Sequence, residues 1–128
     1  MAHEGLHEAA TDLSAETRDL HRALVSLREE LEAVDWYRQR ADACTDTQLR
    51  SILLHHMRDE MEHSAMLIEW LRRNDADFAD ELRTYLYSEA SIVETEERAS
   101  PADEQPAAPS PISQDRLTTI GSLKETRA

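Results

Sequence analysis

Cysteine, glycine and proline are scarce in this 128-residue sequence, with one, two and four residues respectively. The single cysteine, Cys44, excludes an internal disulfide and any zinc site built on several thiolates, and it suits the reducing cytoplasm. All four prolines follow residue 100, so the first hundred residues lack the strongest helix breaker. With aromatic residues at 5% and charged residues at 32%, the composition favours helices with wide solvated faces over a sheet protein.

Basic residues are also few, with 14 against 27 acidic ones and a net charge of −13. Such a chain lacks the basic surface of a nucleic-acid-binding protein, so we expect no nucleic-acid partner. No charged segment followed by an apolar run opens the sequence, and no stretch reaches the roughly 18 to 20 apolar residues of a membrane span. We therefore expect neither a signal peptide nor a membrane protein. The acidic surface could concentrate cations, although solubility alone is the simpler explanation.

Composition divides the chain into three segments. Residues 1–90 are periodic and almost free of helix breakers, so they form the expected folded domain. Residues 91–116 combine proline with serine, alanine and acidic residues, which predicts a flexible, partly extended linker. Residues 117–128 form a terminal peptide that contains apolar residues. Together, the linker and the peptide are expected to be a disordered C-terminal tail.

Hydrophobic periodicity predicts an all-α domain with two long helices and a shorter third. The first helix spans about 12–43. Thr45 followed by Gln48 is typical of a capping box, which would start a second helix that runs to about Arg73. The third helix is predicted at about 76–89. Apolar residues recur at steps of three and four along the first helix, at Leu20, Leu24, Leu27, Leu31 and Val34.

A short turn between two long helices makes an antiparallel hairpin, which leaves one face of each helix uncovered. A second copy of the hairpin would cover those faces and complete a four-helix bundle across a two-fold axis. The small size of the folded domain favours the same arrangement, because domains with thin cores often gain stability by association. We therefore expect a dimer that completes a four-helix bundle.

Three side chains that can bind a metal interrupt the apolar stripes of the long helices. Glu60 and His63 are three residues apart on the second helix and so share a face. Glu30 precedes the turn at Thr45 by fifteen residues and Glu60 follows it by fifteen, so an antiparallel hairpin places both at the same height. Tyr37 lies on the stripe of Glu30. Buried glutamates are usually paired or bound to a metal, so this spacing indicates a metal site.

The three residues form half of a di-iron set. Di-iron bundles take one Glu from each of two helices and a Glu-x-x-His pair from each of the other two. One copy of this chain supplies one Glu and one such pair, and a two-fold axis would supply the rest. Carboxylates and imidazoles suit iron. The Glu-x-x-His spacing alone also arises by chance in charged helices, and the matching height of Glu30 is what favours metal binding.

An acidic run on the first helix holds Glu29, Glu32 and Asp35. With their counterparts across the axis, these residues could gather Fe2+ before oxidation, while a solvated charge run explains them equally well. Iron and calcium are both candidates for this outer site. The histidines are less informative: His56 is either a neighbour of the ligands or a polar residue at the bundle end, and His55 has no assigned role.

Four segments of the sequence closely resemble the encapsulated ferritins. They are EELEAVDWY at 29–37, RDEMEHSAM at 58–66, EWLRR at 69–73 and LRTYL at 82–86. Together the resemblance covers about residues 15–90. It implies short two-helix subunits that dimerise to rebuild the bundle, a ring of five such dimers, and ferroxidase activity. The site residues that it implies are the iron ligands Glu30, Glu60 and His63 with Tyr37 adjacent, and Glu29 and Glu32 as an outer metal-attracting site.

The sequence LTTIGSLK at residues 117–124 resembles the docking peptide that loads cargo into an encapsulin shell. Leu117, Ile120 and Leu123 recur every three residues and could fill adjacent pockets of a groove. A short apolar motif at the end of a flexible linker can bind such a groove while the folded domain stays free. An ordinary frayed tail is the alternative.

The resulting hypothesis is a ferroxidase, which oxidises Fe2+ to Fe3+ with dioxygen or peroxide. It would work inside a cytoplasmic encapsulin nanocompartment, where the iron is stored as mineral. The alternatives are a non-catalytic iron-binding carrier or shell-cargo adaptor, and a purely structural helical dimer. Turnover with excess Fe2+ separates the enzyme from a carrier, which stops at stoichiometric binding. Bound metal in the purified protein separates both from a structural dimer.

Overall fold

The computed structural model describes residues 5–103, which are helical and contain no strand. A 3₁₀ turn at Ala10–Asp12 precedes two long helices, α1 (Ala15–Ala43) and α2 (Thr47–Asn74), and two shorter ones, α3 (Ala76–Tyr85) and α4 (Ile92–Asp103). Three residues join α1 to α2, and the two helices pack against each other as an antiparallel hairpin. The expected all-α fold and its two long helices are therefore confirmed.

Helix α1 begins three residues later than the sequence predicts, because the 3₁₀ turn and a capping residue come first. The Ser14 hydroxyl accepts a hydrogen bond from the Thr17 backbone N–H at 3.0 Å. This bond satisfies one of the four N–H groups that the start of a helix leaves unpaired. The helix then runs without interruption to Ala43, so all the predicted site residues of α1 lie on one continuous helix.

The predicted capping box at Thr45 and Gln48 is wrong, because Asp46 caps α2 instead. The Asp46 carboxylate accepts a hydrogen bond from the Leu49 backbone N–H at 2.7 Å. A capping box needs Glu or Gln three residues after the cap, and that position is Leu49, which has no side-chain acceptor. A carboxylate at the positive end of a helix is favourable in itself, so Asp46 needs no such partner.

Asp75 separates α2 from α3 and makes hydrogen bonds to both helices. Its backbone N–H donates to the Leu71 carbonyl at 2.9 Å, and its carboxylate accepts from the Phe78 N–H at 3.0 Å. Helix α3 ends at Tyr85, four residues earlier than predicted, and Tyr87 just beyond it adopts a left-handed backbone conformation with φ of 59°. A residue in this conformation commonly terminates a helix.

Helix α4 lies within the predicted linker, so residues 92–103 are helical and not extended. The residues that precede Pro101 are rich in glutamate, which forms helices well, and contain no glycine or proline. The Ser91 carbonyl accepts a hydrogen bond from the Thr95 N–H at 2.9 Å at the start of this helix. Overall proline content is therefore a poor guide to this stretch. Residues 104–128, predicted as the rest of the linker and the terminal peptide, lie outside the described residues.

The hairpin unit, which ends at Arg83, buries few side chains. Within the described residues the buried set is Ala23, Ala41, Met57, Ser64 and Leu71. Large apolar side chains are instead exposed on both long helices, at Leu24, Leu31, Trp36, Leu49, Ile52, Met61 and Met66. This is the surface expected of one half of a helical bundle. No helix in residues 5–103 combines the length and the apolar character needed to cross a membrane.

We expect Asp46→Ala to lower the free energy of unfolding by about 1 kcal/mol, the usual effect of losing an N-cap side chain. Thr45→Ala is the matched control, because Thr45 is exposed and precedes the cap, and it should change stability by less than about 0.5 kcal/mol. Urea titrations followed by far-UV circular dichroism, at one fixed protein concentration, measure both. A larger loss of unfolding free energy in Thr45→Ala than in Asp46→Ala would show that Thr45, and not Asp46, caps α2.

Candidate metal centre

Two carboxylates and an imidazole meet at one level of the hairpin. Glu30 lies on α1 and Glu60 on α2, each fifteen residues from Thr45 in the turn, so they stand opposite one another in the antiparallel pair. His63 follows Glu60 by three residues, so it shares the helix face of Glu60 and lies about 4.5 Å further along the axis. Helical periodicity and a three-residue turn therefore bring these side chains together.

The interatomic distances allow one ion to contact all three side chains. His63 Nδ1 lies 3.1 Å from Glu60 Oε2 and 3.5 Å from Glu30 Oε2. One ligand atom from each residue lies within 4.8 Å of the other two. Among residues 5–103, no other group of three or more histidine, cysteine or acidic side chains has this geometry. The three residues singled out by their spacing are thus the ones that the structure brings together.

The site is partly shielded from solvent. The side chains of Glu60 and Glu30 are 22% and 28% exposed, and that of His63 is 50% exposed. The buried Ser64 donates its hydroxyl proton to the Glu60 backbone carbonyl at 2.8 Å, within the helical turn that carries two of the ligands. Partial exposure leaves one side of the ligand group open, so ligands from outside the chain can still reach an ion held there.

The three side chains shift one another's pKa. The pKa of Glu30 is raised by its hydrogen bond with Glu60, and further by burial and by the charge of Glu60. The pKa of Glu60 is lowered mainly by the same hydrogen bond and also by His63, against the effect of burial. The pKa of His63 is raised mainly by its hydrogen bond with Glu60. The raised pKa values of Glu30 and His63 therefore favour protons on the ligand group, and a bound cation would displace them.

The donor set of the site fits a divalent iron ion. Carboxylate oxygen and imidazole nitrogen are ligands that iron accepts, whereas thiolates would favour softer metals. The Cys44 thiol is distant from the group, because it lies in the turn and donates to the Asp46 carbonyl at 3.5 Å. Three donors do not fill the coordination sphere of even one iron ion, so a single chain holds an incomplete site.

Tyr37 lies between the three ligands and the turn. It follows Glu30 by seven residues, about 10.5 Å along α1, and so stays on the same face. Its ring makes an edge contact with the His56 ring, with centroids 5.3 Å apart and planes at 78°. The Arg40 guanidinium carbon lies 5.4 Å from the Tyr37 ring centroid. Within the described chain the Tyr37 hydroxyl makes no hydrogen bond to the ligands, so its place beside the iron stays a prediction.

The outer acidic residues do not assemble into a group of three ligands in the described part of a single chain. Glu29 and Glu32 are both exposed on α1, and Asp35 is exposed one turn further on. A metal ion at this position would need ligands from another copy of the chain. The outer site, with iron or calcium as its ion, therefore stays a prediction.

Two residues around Tyr37 were not assigned from the sequence. The three-residue spacing of Arg40 from Tyr37 is a sequence signal for their contact. The sequence allows His56 to be either a neighbour of the ligands or a residue at the bundle end, and its four-residue spacing to Glu60 is the signal for the first. His55 is engaged elsewhere, since its Nε2 lies 3.3 Å from Asp59 Oδ2.

The EncFtn-like family model matches residues 5–89, a range that contains α1, α2 and α3 and the whole ligand group. The chain is 50% identical over 121 residues to an encapsulated ferritin-like protein of Rhodospirillum rubrum, which covers 92% of this chain and 86% of the relative. It is 28% identical over 104 residues to the encapsulin nanocompartment cargo protein EncC of Myxococcus xanthus, which covers 78% of this chain and 80% of that relative.

The fold also matches a solved structure. The crystal structure of a protein from Nitrosomonas europaea superposes with a TM-score of 0.67 and 54% sequence identity, and the match covers 70% of this chain and 98% of that chain. The resemblance to the encapsulated ferritins that the sequence segments indicated is therefore confirmed. On the family match, the relative at half identity and the shared fold, this chain belongs to the EncFtn-like family.

Proposed function

We propose that this protein oxidises Fe2+ to Fe3+ at di-iron sites that two copies build together. The observation that carries the proposal is the group of Glu30, Glu60 and His63, whose ligand atoms lie within 4.8 Å of one another at one level of the hairpin. This group has the ligand types of a di-iron bundle and half of their number. Family membership supports the same proposal, since the Rhodospirillum rubrum relative is named a ferritin-like protein.

The missing half of the site comes from a second copy across a two-fold axis. A two-fold axis presents the same surface on both partners, so each copy adds one Glu and one Glu-x-x-His pair to the other. The exposed apolar side chains of α1 and α2 support this pairing, because a second hairpin would remove them from water. Five such dimers in a ring, the arrangement implied by the sequence resemblance, would make a decamer.

The proposed reaction takes one electron from each of two Fe2+ ions. Two electrons reduce dioxygen to hydrogen peroxide, or hydrogen peroxide to water, with protons from solvent. Glu60 would be the carboxylate that contacts both irons, while His63 and Glu30 would bind one iron each. Tyr37 can donate a hydrogen bond from its hydroxyl to a carboxylate or to the oxidant. Glu29 and Glu32 would attract iron, or hold calcium, at the outer site.

The proposed place of action is the interior of an encapsulin shell in the cytoplasm. The Myxococcus xanthus relative is named an encapsulin nanocompartment cargo protein, and the segment with Leu117, Ile120 and Leu123 resembles a shell-docking peptide. A four-helix bundle has no cavity that could hold mineral, so the Fe3+ product would leave for the lumen of the shell. Shell docking and iron oxidation would thus use different parts of the chain.

Removing any of the three ligands should lower the rate of Fe2+ oxidation by at least about 100-fold, since even neighbours of metal ligands often matter by 10- to 100-fold. Glu30→Gln, Glu60→Gln and His63→Gln keep side-chain size, and Glu81→Gln on the exposed surface of α3 is the matched control. The absorbance of Fe3+ under excess Fe2+ measures the rate. Full activity in all three variants would refute the site, and a wild type that stops at stoichiometric binding would show a carrier.

Fe2+ affinity, measured without oxygen, should rise with pH through the pKa of His63. The pKa of His63 is raised above its ordinary value of 6.5. Below that raised pKa the imidazole of the metal-free protein carries a proton, which it must release to bind iron. Affinity should fall by up to about tenfold per pH unit below the pKa, and Glu30, whose pKa is also raised, adds to the loss at lower pH. Calorimetry in two buffers counts the protons released. The same pH slope in His63→Gln as in wild type would contradict this assignment, and His21→Gln is the control.

Replacing Leu117, Ile120 and Leu123 together with Ala should abolish capture by the shell, because these apolar side chains are the ones spaced to fill its pockets. The rate of Fe2+ oxidation should not change, since the family region ends at residue 89. Replacing the intervening Thr118, Thr119 and Ser122 with Ala is the matched control. Co-expression with the cognate shell protein, followed by sedimentation, measures capture. Normal capture of the triple apolar variant would refute the docking role.

A further inference from the structure

A line of side-chain contacts lies between the proposed iron ligands and the hairpin turn. The Arg40 guanidinium lies over the ring of Tyr37, and the Tyr37 ring meets the His56 ring edge-on at 5.3 Å between centroids. Arg40 and Tyr37 belong to α1 and His56 belongs to α2, so the contact with His56 is made across the hairpin. Tyr37 is therefore held by one neighbour on its own helix and by one on the opposite helix.

The direction of side chains on a helix makes this contact relevant to the site. Side chains lean toward the N-terminus of their helix. On α1 this carries Tyr37 away from the turn and toward the level of Glu30, whereas on α2 it carries Glu60 toward the turn and toward the level of His56. His56 precedes Glu60 by four residues, one helical turn, and shares its face. Tyr37 and Glu60 thus lean toward each other along the hairpin, and His56 lies between their levels.

We propose that His56 is a positioning residue of the iron site, which fixes the Tyr37 ring beside Glu60 by its edge contact across the hairpin. The proposal rests on the proposed ferroxidase function, and it assigns a role to one of two adjacent histidines. His55 does not share this role, because its Nε2 pairs with Asp59 Oδ2 at 3.3 Å, whereas the ring that meets Tyr37 is that of His56. Successive residues on a helix point about 100° apart, so only one of the two can meet Tyr37.

Electrostatics place His56 close to the ligand group as well. The pKa of Glu60 is lowered first by its hydrogen bond with Glu30, then by His63, and last by the charge of His56. His56 lies outside the group of three ligand atoms that an ion would contact. Its loss should therefore act on the step that uses Tyr37 and leave Fe2+ binding almost unchanged.

The test compares His56→Ala and His56→Phe with the matched control His55→Ala in the full-length assembled protein. Phe restores an aromatic ring at the contact but has no imidazole. One readout is steady-state oxidation, with kcat and the KM for Fe2+ determined separately. The other is 19F NMR of metal-free protein labelled with 3-fluorotyrosine, in which Tyr37→Phe identifies the Tyr37 signal. The NMR readout does not depend on activity.

We expect His56→Ala to shift the Tyr37 signal and to lower kcat by about tenfold, within the range seen when neighbours of metal ligands are removed. KM for Fe2+ should stay within about twofold of wild type, His56→Phe should recover most of kcat, and His55→Ala should behave as wild type. A rise in KM with unchanged kcat would make His56 an iron-binding residue and overturn the positioning role.

Two further outcomes separate this inference from the proposed function. If wild type oxidises Fe2+ and His56→Ala keeps both its kcat and its Tyr37 signal, the inference alone is wrong. It is equally wrong if His55→Ala has the same effects as His56→Ala. If wild type does not oxidise Fe2+, the proposed function is wrong and His56 has no effect on catalysis to explain, while the 19F signal still decides whether His56 contacts Tyr37 in solution.

Discussion

The structure of the site depends on the repulsion between two glutamates that the hairpin places at the same level. Glu30 and Glu60 come from different helices and their side chains are 28% and 22% exposed, so a proton or a cation between them would relieve their mutual repulsion. In the metal-free chain the pKa of Glu30 is raised, first by its hydrogen bond with Glu60, and His63 adds a hydrogen bond to Glu60. A divalent ion would reduce the repulsion more than a proton does, because it would contact both carboxylates at once. The proposed affinity for metal would thus follow from the positions of two residues on apolar stripes.

The same hairpin is incomplete in a second respect, since it buries few side chains and leaves large apolar residues on both long helices exposed. Two copies that pack these faces together would bring their ligand groups to one axis. A single association would therefore bury the apolar side chains and complete the ligand set. Iron binding and association then strengthen each other, because an ion that binds the dimer better than the monomer shifts the equilibrium toward the dimer. In this proposal, the equilibria of dimerisation and iron binding are therefore coupled.

The parts that the sequence predicts well are those fixed by periodicity over many residues. The common height of Glu30 and Glu60 needs only the helical rise and the centre of the turn, and an error of one residue at the turn hardly changes it. The cap of α2 is different, since the choice between Thr45 and Asp46 is made by one hydrogen bond and the sequence allows both. Helix α4 escapes the sequence prediction because the linker assignment rests on prolines that begin at Pro101, in the last turn of this helix, whereas residues 92–100 contain none. The contact of His56 with Tyr37 joins two helices, so no pattern within one helix reveals it.

The separation of the site from the tail has a physical reason. The ligands must be held by rigid helices, because an error of about one ångström is enough to weaken a metal site, and all three lie on the two long helices that residues 5–89 contain. A docking peptide has the opposite requirement, since it must reach a groove whatever the orientation of the domain that it tethers. Placing the apolar motif beyond a proline-rich stretch meets that requirement and leaves the hairpin faces free for a second copy. In the proposed function, the order of segments along the chain would allow a dimer to hold iron on its axis while both of its tails bind the shell.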